Sequence, residues 1–319
     1  MGDTYILRKG HSTLGDLKNG MLAMLGITGD VHFVDPVNGS DGNNGSDASA
    51  PMKTVTAAYN LCADAHNDAV VMLPATGGDT LAAAITWSKN FTHLIGLSND
   101  LPGMGQRCRV LGGATTDLTK LVTFSGYGCI VRNIQFYNGA DADVDNGAVI
   151  VSGNRNYFKN CLFVGMNHAT PAARAGSYSL KVTGSEDYFE DCTIGYDSIE
   201  RGAGEPPELW LATGCSKAVF NHCRILTRSE TITASPVKID AEPLGYVEFD
   251  NCIFVNTSTN WAVALTDCFT ITSAQTHYVG MRGLNQLVGI TGWADTATRM
   301  YMAMPASANT GGTNTAPTT

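Results

Sequence analysis

Charge is scarce in this sequence. Lys, Arg, Asp and Glu make up 15% of its 319 residues, against roughly a quarter in an ordinary soluble domain. The shortage is greatest on the basic side, with 20 Lys and Arg against 29 Asp and Glu and a net charge of −9. Phosphate recognition needs clustered cations, so nucleic acid and anionic membrane are excluded as main partners. Long apolar runs are missing too. The early patch at residues 21–25 is too short for a signal core or a membrane span. Arg8 and Lys9 lead into Gly10-His11-Ser12 rather than into an apolar stretch. Synthesis in a reducing cytoplasm is therefore expected, with the nine Cys as free thiols. No P-loop, dinucleotide fingerprint or Ser-His-Asp arrangement is found.

What is present is a repeat. Four segments share one pattern: Tyr157-Phe-Lys-Asn-Cys-Leu-Phe163, Tyr188-Phe-Glu-Asp-Cys-Thr-Ile194, Val219-Phe-Asn-His-Cys-Arg-Ile225 and Glu248-Phe-Asp-Asn-Cys-Ile-Phe254. Phe158, Phe189, Phe220 and Phe249 step by 31, 31 and 29 residues, and so do Cys161, Cys192, Cys223 and Cys252. A fifth copy, Val131-Arg-Asn-Ile134-Gln-Phe136, puts Ile134 in the Cys position. A second strand precedes each unit, at residues 148–151, 178–182, 208–211 and 236–239.

Cys161 and Phe163 are two apart and share a strand face. Phe158 and Cys161 are an odd number apart, so the chain must bend between them if both point inward. Asn133, Asn160, Asp191 and Asn251 stand at that bend, and Asn and Asp tolerate left-handed backbone. His222 takes the same position and is expected to be structural. The pattern predicts an all-β, right-handed parallel β-helix whose coils stack about 4.8 Å apart. Residues 54–65 predict a short amphipathic capping helix, with Val55, Ala58, Tyr59 and Cys62 on one face. The expected organisation is an N-terminal arm at 1–30, the β-helix at 31–300 and a C-terminal tail at 301–319. The arm carries Ile6, Leu7, Leu14, Leu17, Met21, Leu22 and Leu25, which are the candidate partner-binding residues.

The stretch Phe33-Val-Asp-Pro-Val-Asn-Gly-Ser-Asp-Gly-Asn-Asn-Gly45, followed by Pro51-Met-Lys-Thr-Val-Thr-Ala-Ala58, resembles the start of pectate-lyase-like β-helices. Together with Thr86-Trp-Ser-Lys-Asn-Phe-Thr-His-Leu-Ile-Gly96, Ser125-Gly-Tyr-Gly-Cys-Ile130 and Gly176-Ser-Tyr-Ser-Leu-Lys181, it resembles a group of tailed-phage proteins. That resemblance implies a virion protein of the phage head, a decoration or cement protein on the capsid exterior. Its partners would be the major capsid protein and, as a homotrimer, itself.

Residue chemistry adds little to this. The stacked Cys spread along the axis, whereas a zinc site needs converging ligands, so buried thiols are expected. Asp141-Ala-Asp143-Val-Asp145-Asn-Gly147 opens like a calcium loop but places Asn146 and Ser152 where an EF-hand needs Gly and a carboxylate. The loop at 35–47 is read in the same way. A glycan-cleaving site needs a carboxylate pair on one face. Glu186, Asp187, Glu190, Asp191, Glu200, Glu205, Glu208, Asp240, Glu242 and Asp250 fix no such pair, and Arg201 and Arg224 have no clear context. Trp87, Trp210, Trp261 and Trp293 share no spacing. The expectation is a structural protein with no enzymatic activity, no cofactor and no metal. The rival is a tail-spike-like protein that binds or cleaves host polysaccharide. A third reading is a host-binding module using the outer loops at 165–177 and 197–207.

Overall fold

Alternation within strands of three to five residues puts one face of each strand inward, and a solenoid buries that face by stacking coils. The computed structural model describes residues 26–98, 108–115, 117–240, 246–272, 277–294 and 300–303. The arm residues Ile6, Leu7, Leu14, Leu17, Met21, Leu22 and Leu25 lie outside these, as does the tail beyond 303. Every strand pair among the described residues is parallel, in three sheets of ten, eight and eight strands. One coil shows the path: Tyr157–Lys159 lies in the first sheet, Leu162–Val164 in the second and Leu180–Val182 in the third, and Tyr188–Glu190 returns to the first beside Tyr157–Lys159. This is the expected parallel β-helix. A strand at Met300–Ala303 pairs with His277–Gly280 and carries the first sheet just past residue 300. The helix at Val55–Leu61 closes the N-terminal end, capped by the Thr54 hydroxyl and burying Val55, Ala58 and Tyr59.

The repeat fills the core. Phe158, Phe189, Phe220 and Phe249 stack with ring centroids 4.9, 4.7 and 5.0 Å apart and nearly parallel planes. Each such pair contributes about 0.5–1.5 kcal/mol beyond its buried area. Cys161, Cys192, Cys223 and Cys252 are free and buried beside them, and their thiols donate to strand carbonyls. Burial pushes the Cys215 thiol up to about 12 and Cys129 to about 11, so these sulfurs are poor nucleophiles.

The bend between the first and second sheets is a column of left-handed residues. Asn133, Asn160, Asp191, His222 and Asn251 have φ between 49° and 57°, and Gly283 continues the column at 60°. The backbone N–H groups of Asn133, Asn160, Asp191, His222 and Asn251 each bind a carbonyl of the next coil, as in Asn160 to Glu190, 2.9 Å. The Asn160 amide also donates to Asn133 Oδ1 at 2.8 Å. Asn160→Ala should lower the unfolding free energy by about 1–2 kcal/mol, because alanine pays the left-handed penalty in full. Urea denaturation measures this, and an unchanged midpoint would count against the role given to the bend.

A second left-handed column lies between the third and first sheets. Phe91, Gly128, Arg155, Glu186 and Lys217 have φ of 47°, 67°, 58°, 61° and 54°. Its residue types, apart from glycine, are ones that seldom adopt this conformation.

Candidate functional site

The third sheet presents its outer face between two rows of loops. Leu180–Val182, Leu209–Leu211, Val237–Ile239 and Leu265–Ile271 lie side by side, with Lys181, Trp210, Lys238 and Thr270 in register. Alternation buries Leu180, Leu209, Val237 and Phe269 on one side of this row and Val182, Leu211, Ile239 and Ile271 on the other. The row itself points outward. Trp210 sits between two ammonium groups, with Lys181 Nζ 3.8 Å and Lys238 Nζ 4.1 Å from its ring centroid. Its indole Nε1 donates to Asp240 Oδ2 at 2.6 Å. Asp240 also accepts from the Thr272 hydroxyl at 2.7 Å and pairs with Lys238 Nζ at 3.5 Å. Burial holds the Lys181 pKa below its ordinary value, with Asp240 opposing the shift and Lys238 adding to it.

A cleft of about 420 Å³ adjoins this row, with Glu205, Thr233, Ser235, Lys238, Asp267 and Thr270 among its walls. The Thr233 hydroxyl donates to Glu205 Oε1 at 2.5 Å, and the Thr270 hydroxyl to Ser235 Oγ at 2.7 Å. The cleft therefore offers hydroxyl and ammonium donors together with carboxylate acceptors, a set that matches a polyhydroxylated ligand.

One wall of the cleft is the loop at 195–208, and a buried ion pair holds it. Arg201 Nε lies 2.6 Å from Glu208 Oε1, with the two side chains 1% and 0% exposed. The guanidinium also donates to the carbonyls of Ile199 and Tyr196 at 2.9 and 3.0 Å, and the Ser179 hydroxyl donates to Glu208 Oε2 at 2.6 Å. Gly202 and Gly204 donate to the carbonyls of Ala172 and Ala173 in the neighbouring loop, both at 2.9 Å. A Cβ on Gly204 would meet the Ala173 carbonyl oxygen at 2.3 Å, so only glycine fits there. The two outer loops marked in the sequence are thus packed together at the cleft, which Ala175 and Glu205 line from either loop.

The carboxylates named from sequence separate by place. Glu205 lines the cleft and Asp240 holds Trp210. Glu208 and Asp187 are buried. Glu186 lies between Arg155 and Lys217, at 2.6 and 3.3 Å. Glu190 faces out from the first sheet, where Lys159 Nζ at 2.7 Å and the Tyr157 hydroxyl bind it. Burial pulls Glu190 upward, but these two hydrogen bonds outweigh it and leave its pKa lowered. Asp250 also lies on the first sheet, and Glu200 is exposed on the 195–208 loop. Glu242 lies outside the described residues. Sequence reasoning missed Lys181, Lys238 and Asp267, and Arg201 acquires its context as the partner of Glu208. The available signal was the central residue in Leu180-Lys-Val182, Leu209-Trp-Leu211 and Val237-Lys-Ile239.

The acidic loops are occupied by the chain itself. Arg174 binds Asp143 at 2.9 Å and Asp145 at 3.0 Å. Asp35 and Asp41 accept backbone N–H groups of their own loop and the adjoining turn. Asp30, His66 and Asp68 bring ligand atoms within 4.8 Å of one another. The Asp68 oxygens, however, accept from the backbone of Asp30 and Ala63 at 2.6 and 2.7 Å.

A parallel β-solenoid with a polar cleft on the outer face of one sheet is the class of protein these features define. No family model matches the sequence, and no curated protein matches it. Solved structures do. A pectin methylesterase from carrot is similar with a TM-score of 0.54 at 11% identity, over 88% of this chain and 90% of that one. The pectin methylesterase PemA from Erwinia chrysanthemi has a TM-score of 0.52 at 12% identity, over 87% and 93%. A pectin methylesterase in complex with a hexasaccharide has a TM-score of 0.52 at 14% identity, over 88% and 94%. At such identities the likeness is one of fold. It nonetheless corrects the expectation of a protein without enzymatic activity. That expectation rested on the lack of a carboxylate pair or catalytic motif in the sequence, and the similar solenoids are those of pectin methylesterases.

Proposed function

We propose that this chain is a polysaccharide-binding β-helix of a tailed-phage virion, and that the third-sheet cleft is where the polysaccharide binds. The observation that carries the reading is the Lys181-Trp210-Lys238 row opening onto a cleft walled by hydroxyls and carboxylates. Saccharide sites use hydrogen-bonding groups of both senses, and the lysines of the row with the hydroxyls and carboxylates of the cleft supply them. A hexasaccharide bound to a pectin methylesterase of similar fold supports a saccharide as the ligand class. Its place on a virion is supported by the sequence resemblance to tailed-phage proteins.

The test is a glycan array of bacterial surface polysaccharides, run with the wild type and with Lys181→Ala/Lys238→Ala. Charge-assisted hydrogen bonds are worth about 1.5–3 kcal/mol each, so the double variant should bind at least tenfold more weakly. A wild type that retains no glycan would overturn the reading. Measuring oligosaccharide release separates cleavage from binding alone. Attachment to the major capsid protein through residues 1–30 is proposed from the same resemblance. Deleting those residues should remove the protein from capsids while the β-helix still folds, and normal occupancy would count against it.

A further inference from the structure

We propose that Trp261 is an aromatic subsite at the rim of this cleft, stacking on a sugar ring of the bound polysaccharide; this rests on the reading of the cleft given above. Trp87 and Trp293 are buried and Trp210 is covered by two lysines, whereas Trp261 is 60% exposed. Its position is also strained. Asn260 and Trp261 both have left-handed backbone, with φ of 54° and 57°. A bulky residue there is a conformational outlier, of the kind that persists only where its surroundings hold it.

The surroundings do hold it. The Ser258 hydroxyl donates to the Val263 carbonyl at 2.8 Å and accepts from the Val263 N–H at 2.9 Å, closing a tight loop around the Trp. Asn256, fully buried, donates to the same carbonyl at 3.2 Å. Glu230 accepts from Thr259 N–H at 2.5 Å and ties the loop to its neighbour at 227–233. The indole is thus presented to solvent by a rigid loop, so binding loses little conformational entropy.

Position and chemistry favour a saccharide. Trp261 lies five residues before Thr266, a cleft residue whose N–H binds the Ile232 carbonyl at 2.8 Å. Ile232 is 56% exposed and precedes Thr233, another cleft residue. Apart from Trp261 and Ile232, no large hydrophobic residue is exposed in these two loops. A stable protein partner covers about 800 Å², far more apolar surface than two side chains offer. A pyranose needs only one flat apolar face for its C–H groups, with hydroxyl partners beside it, and Thr233, Ser235 and Thr266 provide those.

The experiment titrates capsular oligosaccharides, fractionated by length, against the wild type, Trp261→Ala and Trp261→Phe. Trp261→Ala should weaken long fragments about five- to tenfold and leave fragments short enough to sit within the cleft unchanged. Trp261→Phe should restore most of the affinity. Equal binding of Trp261→Ala and wild type at every length would overturn this inference and leave the cleft reading standing. No binding by the wild type would overturn the cleft reading itself.

Discussion

Arg201→Ala should lower the unfolding free energy by about 3–5 kcal/mol, because it leaves the Glu208 carboxylate buried without its counter-charge. Both groups are almost wholly shielded from water, and after the substitution Glu208 keeps only the Ser179 hydroxyl and the low-polarity interior. The loss falls on the wall of the cleft, since the guanidinium also ties down the carbonyls of Tyr196 and Ile199. Removing both charges is a different matter. Apolar replacement of a buried ion pair is commonly neutral or stabilising, so Arg201→Met/Glu208→Leu should recover most of the stability. It should not recover glycan binding, because the loop loses its carbonyl anchors. Urea denaturation of the two variants, with binding measured beside it, separates these effects. A loss below about 1 kcal/mol in Arg201→Ala, the level of a surface pair, would sink the account.

The second large effect concerns Asp187. Asn156 and Asp187 occupy the same inward position in successive coils. Asn156 accepts the Cys129 N–H on its oxygen at 2.9 Å and donates to the Gly126 carbonyl at 3.2 Å. Asp187 accepts the Asn156 N–H at 2.9 Å, but its other oxygen is buried with no hydrogen-bond partner among the described residues. That oxygen is crowded toward the Gly153 carbonyl, the counterpart of Gly126; both would lie within 2.8 Å of a Cβ placed on Gly184. Only a protonated carboxyl can donate there. Burial accordingly raises the Asp187 pKa from 3.8 to about 7, the hydrogen bonds from Asn156 opposing it and Glu186 adding to it.

The folded state then holds a proton that the unfolded chain has released between about pH 4 and pH 7. Stability falls as pH rises through that window and stays reduced above it. Each pKa unit is worth about 1.4 kcal/mol, so Asp187→Asn, which supplies the missing donor, should stabilise the protein by a few kcal/mol at pH 8. At pH 4 the gain should nearly vanish. His93 acts in the opposite sense. Burial lowers its pKa from 6.5 to about 4, with Asp68 opposing, so its contribution is lost as pH falls through that range. Denaturation midpoints of the wild type and Asp187→Asn from pH 4 to 8 isolate the Asp187 contribution as their difference. A difference that does not change with pH would refute it.

Much of the fold could be read from the sequence because the inward positions repeat the same residues. The Phe stack, the Cys row and the Asn column declare themselves by type at steps of 27 to 31 residues. The second left-handed column could not be read, since Phe91, Arg155, Glu186 and Lys217 carry no preference for that backbone. Coil stacking imposes the conformation there. Arg201 and Glu208, seven residues apart, look like surface charge until the loop folds over them. The Lys181-Trp210-Lys238 row was hidden for a related reason. An outward residue between two inward ones is free to vary in type, so Lys181, Trp210 and Lys238 share only a central place between apolar residues until register aligns them. The expectation of no enzymatic activity erred where it took silence in the motifs for absence of chemistry.

The Phe stack also bears on how such a molecule could change length. Phe158, Phe189 and Phe220 are separated by identical 31-residue steps and stack face on face in succession. Duplicating or excising one whole step would rejoin phenylalanine to phenylalanine and thiol row to thiol row. Each added step would lengthen the solenoid by one strand spacing, about 4.8 Å, and its outward row by one residue. Recombination between these coils would therefore yield variants graded in length along the solenoid axis.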